Sequence, residues 1–144
     1  MGKKSQVGKK NPAAANKQEP VPSGPPFKIR MGLPHMDALW KDLTARSVTN
    51  NLPVTESKFY KKWGKALAML STDPFYRSLN SHEISILTQK YGRKVFESYL
   101  ENRTPGAARM FWAYGPGRAE ITILALEPHP ESGAYGRVKL DTAP

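Results

Sequence analysis

Arg109-Met110-Phe111-Trp112-Ala113-Tyr114, then Gly115-Pro116-Gly117-Arg118, then Ile121-Thr122-Ile123-Leu124-Ala125-Leu126 is the stretch that decides the fold. Aromatic and β-branched residues favour strands, and Gly-Pro-Gly is a turn signal, so the stretch predicts a β-hairpin. Its second strand is apolar almost throughout, which places it inside a sheet rather than at an edge. Counting outward from the turn sets Arg109 opposite about Leu126. Pro128 ends the strand. Arg137-Val138-Lys139-Leu140 alternates polar and apolar, which predicts a third short strand.

Upstream the period changes from two to about 3.6. Phe27-Lys28-Ile29-Arg30-Met31 alternates like a half-buried strand. Pro34 stands where a first helical residue belongs, and Met36, Leu39, Trp40 and Leu43 recur at helical spacing, predicting a helix over about 34–48. Asn50-Asn51-Leu52-Pro53 ends it. A second helix, about 56–70, carries Phe59, Trp63, Leu67 and Leu70 on one face and Lys58, Lys61, Lys62 and Lys65 on the other. Asp73-Pro74 breaks it. Ser81 suits the cap of a third helix over about 82–102, with Ile84, Leu87, Tyr91, Val95 and Tyr99 on one face and Gly92 as a point of bending. The expected order is β-α-α-α-β-β-β: an α+β domain whose C-terminal three-strand antiparallel meander packs on the helices.

The chain has 144 residues, no cysteine, 22 Lys plus Arg against 12 Asp plus Glu, and a formal net charge of +10. The length fits one domain. The lack of cysteine excludes a disulfide framework, a thiolate nucleophile and a Cys-ligated metal, and agrees with a cytoplasmic setting. No apolar run is long enough to span a bilayer. The charge favours a polyanionic partner. Residues 1–26 hold five Lys, one Glu and five Pro and no aromatic, which reads as a disordered basic Pro/Lys/Gly-rich tail; residues 27–144 form the domain.

No phosphate-binding glycine loop, nucleophile elbow or zinc-binding His-Glu-x-x-His is present. His82-Glu83 and His35 read as helix starts. His129 differs, because it stands between Pro128 and Pro130 just after a strand, where stiff backbone suits a positioned side chain. The hairpin brings Arg109 to the same sheet end. Tyr135 follows six residues after His129, and Arg137 and Lys139 share one face of the expected strand. Cleavage of RNA through its 2′-hydroxyl needs a base, positive charge on the phosphate and an acid at the leaving oxygen, and no metal. Arg109, His129 and Tyr135 are the candidates for these tasks. Packing of a loop by His129 and Tyr135 is the competing reading of the same residues.

On Ala108–Tyr114, Ile121–His129 and Tyr135–Val138 the chain resembles the RelE/ParE superfamily of small bacterial toxins, nearest its RelE branch of messenger-RNA interferases. Arg109, His129 and Tyr135 match the spacing of that branch's Arg at a hairpin start, basic residue at the returning strand end and later acid/base. The resemblance implies a RelE-like domain over about 27–140. It implies the toxin of a type II toxin–antitoxin system, a ribosome-dependent endoribonuclease with no cofactor. Its partners would be messenger RNA on the ribosome and a cognate antitoxin. Arg109 would stabilise the phosphorane, His129 would act as base or acid, and Tyr135 as its complement or as a stacking platform. Arg118, Arg137, Lys139 and Arg103 would bind RNA. The alternatives are a non-catalytic toxin of the same fold that inhibits gyrase, or a basic ribosome-binding protein.

Overall fold

Three helices and a five-stranded mixed sheet make up the α+β fold of the computed structural model, which describes residues 25–101, 108–127 and 135–143. The basic tail expected over 1–26 lies outside the described residues, save for Pro25 and Pro26. The strands are β1 (Lys28–Met31), β2 (His82–Glu83), β3 (Phe96–Tyr99), β4 (Arg109–Tyr114) and β5 (Glu120–Glu127). The helices are α1 (His35–Val48), α2 (Val54–Thr72) and α3 (Ser85–Tyr91), with 3-10 turns at Arg77–Leu79 and Tyr135–Arg137. The sheet order is β1-β5-β4-β3-β2, parallel between β1 and β5 and antiparallel elsewhere. No helix among the described residues is long and apolar enough to cross a membrane.

The expected hairpin forms between β4 and β5, with one departure. Trp112 pairs with Ile123 but Phe111 pairs with Ala125, so Leu124 is an extra residue in a bulge. The bulge shifts the outer register by one, and Arg109 stands opposite Glu127 rather than Leu126. It also explains the unbroken apolar run of β5. Ile121 and Ile123 face one core layer, while Leu124 and Ala125 both face the other.

The third helix expected over 82–102 is a correction. Gly92 takes a left-handed conformation, φ +87°, and its N–H bonds Thr88 O, which stops α3 after seven residues. Val95 to Tyr99 then enter the sheet as β3. Ser81 caps no helix; its hydroxyl bonds Pro74 O and Ser98 Oγ, each at 2.6 Å. His82 and Glu83 start no helix either, because they pair with Glu97 and Phe96 as β2.

The strand expected over 137–140 is also a correction. β1 already occupies the outer edge of β5, leaving no place there for another strand. The antiparallel meander is instead β3-β4-β5. The C-terminal segment runs across the sheet to α1, where buried Asp141 Oδ2 accepts the N–H groups of His35 and Met36 at 2.9 and 2.6 Å. A carboxylate there satisfies free N–H groups and meets the positive end of the helix dipole. Gly32 makes room for this segment: a Cβ on it would stand 2.7 Å from Asp141 Cβ and 2.8 Å from Thr142 O.

Helices therefore cover both sheet faces, not one. α1 and α2 pack Met36, Leu43, Trp63 and Leu70 against Phe96, Met110, Trp112 and Ile123. Trp40 meets Trp63 edge-on at 4.9 Å, and Phe96 stacks on Trp112 at 4.7 Å. α3 and the C-terminal segment pack Leu87 and Val138 against Val95, Phe111, Leu124 and Ala125.

Candidate functional site

Antiparallel register puts directly opposed residues on one face of a sheet. Two rows follow. His82, Glu97, Phe111 and Ala125 form one across β2, β3, β4 and β5; Tyr99, Arg109 and Glu127 form the next. Both lie on the α3 side, toward the sheet end away from the Gly115–Gly117 turn.

Glu97 is the centre of this end. It is 1% exposed, so its carboxylate needs compensating partners. Tyr135 Oη donates to Glu97 Oε2 at 2.9 Å, and Arg109 Nε stands 3.9 Å from the same oxygen. His82 Nε2 approaches Oε1 at 3.0 Å, near enough for charge attraction but off the line of a hydrogen bond. The other ring nitrogen, Nδ1, bonds the carbonyl of Asn80 at 2.8 Å. Because a carbonyl only accepts, Nδ1 carries the hydrogen. Asn80 presents that carbonyl from a left-handed conformation, φ 50°.

Arg109 is pinned from a second side, with its guanidinium carbon 3.8 Å from the centroid of the Tyr99 ring. The Tyr135 ring packs edge-on against Phe111 at 6.2 Å. Burial, reinforced by the bond to Glu97, pushes the Tyr135 phenol up to about 12. Tyr135 therefore keeps its proton at neutral pH and acts as a donor. Lys90 Nζ ties its turn to α3 by donating to Gly136 O at 3.3 Å and Val138 O at 2.9 Å.

The structure thus joins Arg109 and Tyr135, two sequence candidates, through one carboxylate. Arg137 and Lys139 are exposed on either side of buried Val138, close in sequence to Tyr135. Arg118 is exposed at the opposite end of the hairpin, about 20 Å away at ~3.3 Å per strand residue. His129 and Arg103 lie outside the described residues. A groove of about 580 Å³ opens on the other sheet face, between β1, α1 and α2, and touches none of the Glu97 set. Among the described residues no three His, Asp or Glu side chains converge as a metal site.

Sequence reasoning missed His82, Glu97 and Tyr99. Two signals were present: a glycine that ends helices, at 92, and a Val-Phe-Glu-Ser-Tyr run rich in strand formers directly after it. An acidic residue inside such a run is costly to bury and marks a polar centre. No protein-family model, no curated protein and no solved structure matches the chain.

Proposed function

We propose that the chain is an RelE-like toxin, an endoribonuclease that cuts messenger RNA on the ribosome and is neutralised by an antitoxin. One observation carries this reading. Arg109 and Tyr135 come from different elements and converge on the buried Glu97 carboxylate at one sheet end, with cationic Arg137 and Lys139 beside Tyr135. The element order, a strand and two long helices before the antiparallel meander, supports it too.

The chemistry is transfer of the phosphate to the 2′-oxygen. A base takes the 2′-hydroxyl proton, the O2′–P bond forms, the P–O5′ bond breaks, and an acid returns a proton to O5′. Arg109 supplies positive charge to the crowded phosphate. Tyr135, held in its protonated form, fits the acid better than the base. The base then falls to His129. Arg137 and Lys139, together with Arg118 and Arg103, would hold phosphates of the bound RNA.

A second reading has its own support. Glu97 is almost wholly enclosed, which suits a structural hub in a non-catalytic binder of the ribosome or gyrase. Mapping the 5′ ends of ribosome-bound messenger RNA after induction separates the two. The nuclease reading expects new 5′ ends with the natural chain and about 10-fold fewer with Arg109→Lys at equal thermal stability, since Lys lacks the planar fork. Growth arrest with intact messenger RNA would overturn it in favour of the binder.

A further inference from the structure

Arg109 makes sense as a phosphate ligand only if its guanidinium is held in one direction. A free arginine side chain samples many rotamers, and fixing them during the reaction would cost rate. The strand register places Tyr99 directly opposite Arg109. Its ring face lies 3.8 Å from the guanidinium carbon, within cation–π range. A guanidinium lying flat on a ring keeps its N–H groups in its own plane, pointing away from the ring. Stacking therefore fixes the plane without consuming donors, as a bidentate carboxylate would. His82 braces the Tyr99 ring edge-on at 6.3 Å.

Resting on the nuclease reading above, we propose that Tyr99 is a positioning residue: its ring face orients the Arg109 guanidinium so that the in-plane N–H groups meet the scissile phosphate. The ring's π electrons do the holding, and the Tyr99 hydroxyl is dispensable. Such a contact acts on the transition state more than on RNA binding, because the other cations still hold the RNA. Its loss therefore lowers kcat and leaves KM nearly unchanged.

The test replaces residue 99 in the full chain by Phe, by mono-, di- and trifluorinated phenylalanines, and by Leu. Fluorine drains the ring face while nearly preserving its shape. Tyr99→Phe should cleave within about 3-fold of the natural chain. The fluorinated series should lower kcat stepwise, reaching about 5- to 30-fold at the end, with KM and Tm steady. A flat kcat across the series, or a Tyr99→Leu variant as fast as the natural chain, would overturn the proposal. Nuclear magnetic resonance of Arg109 Nε–H supplies an independent arm. Its ring-current shift should persist in Tyr99→Phe and vanish in Tyr99→Leu; an unchanged resonance in Tyr99→Leu would overturn the stacking. Should the natural chain cut no RNA, the nuclease reading fails, while the resonance still decides whether Tyr99 holds Arg109.

Discussion

The two faces of the sheet are built for different ends. Under α1 and α2, Trp63, Leu70, Trp112, Ile121 and Ile123 are all fully buried, and aromatic rings interlock along the layer. Under α3 the packing starts the same way, with Leu87, Val95, Phe111 and Leu124, and then ends in His82, Glu97 and Arg109. The first face is covered by helices of 14 and 19 residues, the second by one of seven and a 3-10 turn. Apolar burial contributes in proportion to area, whereas each buried charge demands partners before it stops costing stability. The comparison teaches that the thick layer supplies the stability and frees the thin layer to hold ionised groups.

Trp63→Ala should break the comparison hardest. It empties the centre of the thick layer and should cost about 3–5 kcal/mol, read as a lowered denaturation midpoint. Cleavage per folded molecule should stay normal. Gly32→Ala comes next. The added methyl meets backbone and Asp141, so the C-terminal segment must shift, at a cost of about 1–3 kcal/mol. Weaker protection of the His35 and Met36 amides against hydrogen exchange would locate the damage at the start of α1. Tyr135→Phe should have the smallest effect on stability at pH 7, about 1 kcal/mol, because water can reach the partly exposed site. It sharpens the comparison through pH. A phenol raised to about 12 in the folded chain stabilises it fully below the ordinary tyrosine value near 10. That contribution is lost as pH rises through about 12. Denaturation followed across this window should show the loss in the natural chain and a flatter limb in the variant.

The hairpin, β1 and the first two helices were legible because each carries a long unbroken period and a hard stop, such as Asn50–Pro53 or Gly115–Gly117. The region 82–102 was not. Ile84, Leu87, Tyr91, Val95 and Tyr99 satisfy a helical spacing by coincidence, and only the backbone freedom of Gly92 decides between continuing and stopping. Residues 137–140 alternate like a strand, yet pairing depends on a free sheet edge, which no local pattern reveals. The candidate site divides in the same way. Arg109 and Tyr135 were found from spacing. Glu97, which joins them, sat in a segment read with the wrong period, so its side chain was assigned to no face.

Asp141 reaches back across 105 residues to cap α1, and β5 supplies the neighbour of β1 from about 90 residues away. These contacts set a timetable for a chain growing on a ribosome. At ~5–20 residues per second, α1 is made roughly 5–20 s before the carboxylate that finishes it. Closing loops of that length is slow compared with folding a hairpin. During that wait β1 has an open edge, and the apolar sides of α1 and α2 have no sheet to lie on. The nascent chain is then a client for holding factors, and it acquires its working shape only when the C-terminal segment arrives.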